Sequence, residues 1–415
     1  MALLVLFRIG GAVIDSDAPA AARPVPVPAG SRWIATWAAS PQAATPGNLS
    51  RAGFRNATIR EIVLTSAGGV RVRVRLTNAY GSGPLRIGLV AIALDGHGPD
   101  TVPGTSRAVY FDHRRSVVIA PGGEATSDPV ALAVPPAGRL AISIFLPRPT
   151  GPATQHADAQ QVNYVAAGAH TADGGGAFKI RTRSWYLLDG VDVLGAQRAL
   201  GSVVALGDSI TDGVGSGLGK NQRWPNYLAA RLNARSGATL AVIDEGIGGN
   251  RVLNSSLCCG VDAVARFERD VGDQPGARDV ILLEGINDIG YSQSRGPLTA
   301  PHTEVSALQI VRGYERIITL AHTAGLRIFG ATLTPFEGAR HWTPAGEAKR
   351  EAVNSWIRTS DAFDGVIDFA GAVADPENPD RLNPAYDSGD HLHPNGPGYR
   401  AMAGAINLGA LLAAG

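Results

Sequence analysis

The sequence predicts two architectures in one chain: a β-sandwich or jelly roll, followed by an α/β domain built on a doubly wound parallel sheet. Three observations carry this. Apolar residues alternate with period two from Trp33 to about Leu194. Short unbroken apolar runs, separated by helical stretches, take over after Gly195. The length, 415 residues, suits two domains of about 100–200 residues each. The expected division is 1–30 as a leader and linker, 31–195 as the β-rich domain and 196–415 as the α/β domain.

In the first half, Val70 to Leu76 alternates without fault, with valines and leucine on one face and Arg71, Arg73 and Arg75 on the other. Leu140 to Leu146 repeats the pattern. Such alternation belongs to strands buried on one face, as in antiparallel sheets. Glycine and proline mark the turns, as at Gly68-Gly69, Gly81 to Pro84, Pro121 to Gly123 and Pro135-Pro136. The three arginines are expected on a solvated face, with an anion-binding face as the alternative.

In the second half, Val203 to Leu206, Leu240 to Ile243, Val280 to Leu283, Arg327 to Leu333 and Val366 to Phe369 read as parallel strands covered on both sides. Between them, Leu308, Val311, Glu315, Ile318 and Ala321 trace one helical stripe, and Ile310, Tyr314, Ile317 and Ala321 its neighbour. Gly325 supplies a stop. Ala345 to Asp361 and Gly398 to Leu412 also read as helices. Strand and helix in alternation imply a doubly wound sheet.

Composition excludes several classes of function. Charge is balanced, 37 basic against 36 acidic residues, so no bulk field favours nucleic acid or an anionic membrane. No phosphate loop, zinc-type spacing or long apolar span is present in the sequence, so no cofactor, metal or transmembrane segment is expected. Cys258 and Cys259 are adjacent; they read as two thiols or a local vicinal disulfide in a surface loop. Apolar runs from Ala2 to Phe7 and Ile9 to Ile14, with Ala20 to Ala22 as a small-residue cleavage site, suggest export. The basic start of a secretory signal is missing, and a disordered extension or a misplaced start codon is the alternative.

The chemistry lies at strand ends. Val203 to Leu206 runs into Gly207-Asp208-Ser209, which puts a serine just beyond the carboxyl end of a strand, where α/β sheets gather function. A serine hydroxyl is a nucleophile only when a base takes its proton. Near the other end of the chain, Asp390-His391-Leu392-His393 offers one. Three-residue spacing lets Asp390 and His393 project from one turn, the carboxylate orienting the imidazole. His391 competes for the role but should point elsewhere in an extended segment. Glu245 to Asn250 supplies Gly249, whose N–H can approach a substrate, and Leu283 to Asp288 supplies the Asn287 amide. Both are candidate oxyanion donors. Each also has an ordinary reading: a β–α turn for Gly249 and a helix cap for Asn287.

In this order, the four segments resemble the blocks of the SGNH, or GDSL, hydrolase family over about residues 200–412. The resemblance implies a flavodoxin-like fold, Ser209 as nucleophile and first oxyanion N–H, Gly249 and Asn287 as the other donors, and Asp390 with His393 completing a triad. Ile210 stands where the family often has leucine. The β-rich half resembles, more loosely, the domain preceding the hydrolase in secreted bacterial members that act on xylan or other carbohydrates. The expected activity is hydrolysis of short-chain acyl esters, acetyl first, on a small-molecule or polysaccharide alcohol. Lipid or aryl esters are the alternative, and a non-catalytic carbohydrate-binding protein is a third reading. Trp224, Leu253, Leu257 and Trp342 are candidates for an acyl pocket, although such residues are more often core or loop anchors.

Overall fold

A computed structural model describes residues 26–196 and 198–413. The apolar runs and alanines that carry the export reading lie outside the described residues.

The first half is antiparallel. A six-stranded sheet runs in the order Ile180–Thr182, Asn163–Ala167, Ala57–Leu64, Arg139–Leu146, Leu89–Leu94, Arg107–Val109. A four-stranded sheet has the order Trp33–Ala38, Leu188–Leu194, Arg71–Thr77, Glu124–Thr126. The alternation explains the packing. Leu140, Ile142, Ile144 and Leu146 of one sheet meet Val72, Val74 and Leu76 of the other in a shared apolar cluster. Residues on the opposite face are also covered: Ala141 and Ile62 pack with Tyr164 and Phe178.

The arginine strand corrects an expectation. At Arg73 and Arg75 the charged face is neither solvated nor open to an anion. Arg73 Nε pairs with Asp192 Oδ2 at 2.8 Å on the neighbouring strand. Arg75 is buried, with Nη1 3.3 Å from Asp189 Oδ2 and Nη2 donating to Gln274 Oε1 at 2.6 Å. Gln274 belongs to the second half, so this sheet turns its polar face to protein. Neighbouring aspartates neutralise charges that water would otherwise screen.

The second half holds a five-stranded parallel sheet ordered Thr239–Gly246, Ala199–Gly207, Ala277–Leu283, Arg327–Ala331, Gly365–Ile367. In chain sequence this order is second, first, third, fourth, fifth. The order reverses beside the first strand, and α/β sheets bind ligands at such a switch point. On helix Ala307–Thr323 the buried face is Ile310, Val311, Tyr314, Ile317, Ile318 and Ala321. Leu308 and Glu315, expected on that stripe, are exposed because they lie on its outer side. The second expected helix spans Pro344–Thr359. The last breaks in two, Gly396–Ala405 and Leu408–Leu412, because the Asn407 side chain accepts from Gly409 N and Ala410 N and caps a new start. Phe369 opens a short helix, Phe369–Val373, rather than extending a strand.

The halves are joined by hydrogen bonds. Ala35 N donates to Pro275 O at 2.7 Å, Ser202 Oγ to Ala35 O at 2.8 Å, and Val242 N to Ser66 Oγ at 2.9 Å. Among the described residues, no helix is long and apolar enough to cross a membrane.

Candidate active site

Ser209 is the first residue of a four-residue helix, Ser209–Asp212, that begins where the first parallel strand ends. The cap of this helix is Asp208 and not the serine, with Asp208 Oδ1 accepting from Ile210 N at 2.9 Å. This leaves the Ser209 hydroxyl uncommitted and puts its N–H in a helix's first turn, where such groups lack intrahelical partners. Burial pushes the Asp208 carboxyl up to about 7, against the opposing pull of the Ile210 N–H and the charges of His393 and Arg266.

The segment 387–395 crosses the chain to meet Ser209. His393 Nε2 is 2.8 Å from Ser209 Oγ, and His393 Nδ1 is 2.6 Å from Asp390 Oδ2. Asp390 Oδ1 also accepts the backbone N–H groups of Leu392 and His393, at 3.0 and 2.9 Å. Burial alone would raise the Asp390 carboxyl; the hydrogen bonds and charge of His393 hold it well below the usual carboxylate range. His391 goes elsewhere: its backbone has φ 63°, and its Nδ1 is 2.6 Å from Asp387 Oδ2.

The two other strand ends lie beside the first, Gly207 pairing with Gly246 on one side and Leu283 on the other. The chain after the Thr239–Gly246 strand is tied down by Ile247 N donating to Gly207 O at 3.0 Å. Gly249 has φ 75°, and a Cβ built there would stand 2.3 Å from Tyr291 Oη and 2.6 Å from Cys259 Sγ. Only glycine fits this turn without displacing them. Asn287 lies in the helix Ile286–Gly290, past its cap at Gly285, so it is not a cap residue. Its Nδ2 donates to Asn250 O at 3.0 Å, leaving one amide proton free. Asp288 holds the opposite loop, accepting from Val252 N at 2.7 Å and Leu253 N at 3.1 Å.

Two supporting residues escaped the sequence reading. Arg266 is buried and donates to Gly207 O (2.9 Å), Glu245 O (2.7 Å), Asn250 Oδ1 (3.0 Å), Ser40 Oγ (2.9 Å) and Asp270 Oδ2 (3.0 Å). It links the ends of the first two strands to the residue that holds Asn287. The available signal was an arginine on the buried face of a short helix with Ala263 and Phe267. His156, from the antiparallel half, reaches Asp212 Oδ1 at 3.2 Å with Nε2 while Nδ1 is 3.0 Å from Ser40 O. Desolvation opposes its protonation, but Asp212 prevails and its pKa is raised. Nothing in the sequence around Gln155-His156 marked it.

A cavity of about 240 Å³ adjoins this cluster, lined by Ile286, Asn287, Tyr291, Phe336, Asp390 and Leu392 among others. None of the four residues expected to form an acyl pocket lines it. Trp224 is core, Leu257 is exposed, and Leu253 and Trp342 pack against the core from its edge.

The sequence pattern of the GDSL-like Lipase/Acylhydrolase family matches residues 205–401. Among solved structures, a GDSL-like lipase from Bacteroides thetaiotaomicron VPI-5482 is 19% identical over 51% of this chain and 87% of its own, with a TM-score of 0.37. A carbohydrate acetylesterase family member from Sinorhizobium meliloti is 19% identical over 49% and 94%, with a TM-score of 0.38. A catalytic mutant of an acetylxylan esterase from Geobacillus stearothermophilus is 22% identical over 49% and 91%, with a TM-score of 0.36. No curated protein matches the chain. Residues 205–401 therefore read as a GDSL-like lipase/acylhydrolase domain, the domain of an ester hydrolase.

Proposed function

We propose that the protein is a serine esterase acting on short acyl esters, with Ser209 as nucleophile, His393 as general base and acid, and Asp390 as its orienting carboxylate. The observation that carries the reading is the unbroken chain from Ser209 Oγ through His393 to Asp390, at 2.8 and 2.6 Å. In the proposed cycle His393 takes the Ser209 proton as the hydroxyl attacks the ester carbonyl. The N–H groups of Ser209 and Gly249 and the Asn287 amide hold the oxyanion. His393 then protonates the leaving alcohol, and water activated by the same imidazole releases the acid. The protein groups complete this cycle by themselves.

The cavity supports the acyl preference. Its volume, about 240 Å³, lies below the ~300–1,000 Å³ common for ligand pockets, and Ile286, Phe336 and Leu392 line it with apolar surface. Short chains suit it. Asp390, which lines the cavity, and His391 are exposed, so a bulky alcohol such as a polysaccharide has room to approach. The same reading takes the antiparallel half as an accessory β-sandwich, supported by the apolar cluster its two larger sheets share. Export is supported by the Cys258–Cys259 disulfide, since such bonds persist in oxidising compartments.

The test is Ser209→Ala on p-nitrophenyl esters of two to twelve acyl carbons, beside acetate release from acetylated xylan. Turnover should vanish in the variant. In the wild type it should peak at the short end, and acetate should be released. Near wild-type turnover by Ser209→Ala would sink the nucleophile assignment, and a peak at long chains would favour a lipase.

A further inference from the structure

We infer that the Cys258–Cys259 disulfide is a positioning element of the oxyanion site, so that opening it slows acyl transfer without weakening substrate binding. The inference rests on the esterase reading and deepens it.

Two independent sets of contacts lead there. The first is packing. Gly249 offers a bare Cα on the side where a side chain would project, and the Cys259 sulfur and the Tyr291 hydroxyl fill that space, at 2.6 and 2.3 Å from where a Cβ would stand. The two groups also touch each other, with Cys259 Sγ 3.7 Å from Tyr291 Oη. The second set is polar. Asn250 Nδ2 donates to Cys259 O at 2.7 Å and to Val261 O at 2.8 Å. Asn250 O in turn accepts from Asn287 Nδ2 at 3.0 Å. One proposed donor is therefore wedged by the disulfide's sulfur, and the other hangs from a residue whose side chain is held by the disulfide's carbonyl.

Joining adjacent residues closes a small ring that fixes the Cys258–Cys259 peptide and hence the direction of the Cys259 carbonyl. The loop has further anchors that survive without the bond. Cys258 N donates to Leu298 O at 3.0 Å, and Ser256 N to Gly260 O at 3.0 Å. Cys259 is buried, but neither cysteine packs into the main apolar cluster of the parallel half. Opening the bond should thus let the sulfur and carbonyl shift while the fold persists. Displacement by about 1 Å costs on the order of 100-fold when it affects reacting groups directly. Acting through one layer of contacts, a loss of roughly tenfold is expected.

Reduction is a clean experiment because the chain has two cysteines, so a reductant can act on this bond alone. Tris(2-carboxyethyl)phosphine supplies two electrons. Each sulfur takes one electron and one proton to become a thiol, and the phosphine becomes its oxide with oxygen from water. Cys258 is only half-buried, which gives the phosphine access.

The measurement compares untreated protein, protein reduced to two thiols as verified by intact mass, and a variant combining Cys258→Ser with Cys259→Ser. Each is assayed for kcat and KM on p-nitrophenyl acetate, for Ki of an alkyl boronic acid that forms a tetrahedral adduct with Ser209, and for far-ultraviolet circular dichroism. The expected result is a fall in kcat of about tenfold, a parallel rise in Ki, KM within about twofold and an unchanged spectrum. Unchanged kcat in the reduced protein overturns the inference. So does a rise in KM alone, and so does loss of the folded spectrum, which would make the bond a staple of the fold. Failure of a fluorophosphonate probe to label the untreated protein would instead overturn the esterase reading, and this inference with it.

Discussion

Two aspartate–histidine pairs lie side by side in the segment 387–393, each with a carboxylate oxygen 2.6 Å from Nδ1 of its histidine. Only one should matter for turnover. Asp390→Asn keeps the size of the side chain, and the carbonyl oxygen of asparagine can still accept the Leu392 and His393 backbone N–H groups that Asp390 Oδ1 now receives. The substitution therefore isolates the charge and the tautomer control at His393. In a fully buried triad this loss costs about 10⁴ in kcat. Here the Asp390 side chain is 50% exposed, so water can replace part of the lost interaction. A fall of about 10²–10³ is expected, equivalent to about 2.7–4 kcal/mol at 1.36 kcal/mol per decade. Asp387→Asn makes the same change at His391, keeping the N–H groups of Gly389 and His391 on its oxygen. Ser209 Oγ meets His393 and not His391, and kcat should fall less than about threefold. The assay is kcat on p-nitrophenyl acetate, with thermal midpoints to confirm that both variants fold. If Asp387→Asn lost 100-fold while Asp390→Asn stayed within tenfold, the assignment of His393 over His391 would be refuted.

Three further outcomes are expected. Gly249→Ala places a methyl against Tyr291 Oη and Cys259 Sγ at a φ that alanine adopts poorly; kcat should fall at least about 100-fold, with about 1–3 kcal/mol lost in urea unfolding, and a near-normal kcat would remove Gly249 from the oxyanion site. Arg266→Met deletes five buried hydrogen bonds and strands Asp270 beside a single remaining partner, Arg269; a stability loss of about 3–5 kcal/mol is expected by urea unfolding, and under 1 kcal/mol would show that the hub carries little. Burial pushes Asp244 from the ordinary 3.8 up to about 7, so ionisation favours the unfolded chain between those values and this stability is lost as pH rises. Asp244→Asn should gain thermal midpoint relative to wild type progressively from pH 4 to pH 7 and hold that difference above, whereas a pH-independent difference would contradict the shift.

The legible parts of this molecule were those whose signal is local. A strand buried on one face writes itself as alternation, and a parallel strand as an apolar run, so Arg139–Leu146 and Ala199–Gly207 were readable directly. That Ser209, His393 and Asp390 would meet was readable because they sit in short motifs at fixed spacing. Partner choice was not readable. Arg71 to Arg75 has the pattern of a wet face, and only the aspartates of the neighbouring strand and Gln274 across the interface make it dry. The acyl pocket failed for a related reason. Large apolar side chains are equally good at filling a core, and Trp224 does so from the start of a helix, whereas Phe336 and Leu392 reach the cavity from positions whose apolar character alone did not mark them.

The same limit explains why a change of texture near residue 195 is not a mechanical division. Polar groups of the antiparallel half stand behind the proposed site at three places. Ser40 Oγ, 2.6 Å from Glu245 Oε2, also receives Arg266 at the hub of the strand ends. His156 pairs with Asp212, the last residue of the helix that Ser209 begins. Gln42 Nε2 donates to Cys258 O at 3.4 Å, on the disulfide beneath Gly249. Glu245, Asp212 and Arg266 are all buried, and a buried charge without its partner is costly. The parallel half taken alone would expose or orphan these groups directly behind Ser209 and Gly249. An accessory domain that merely recruits substrate has no need of such contacts. Their placement gives the antiparallel half a second role, as part of the frame that holds the geometry of the proposed site.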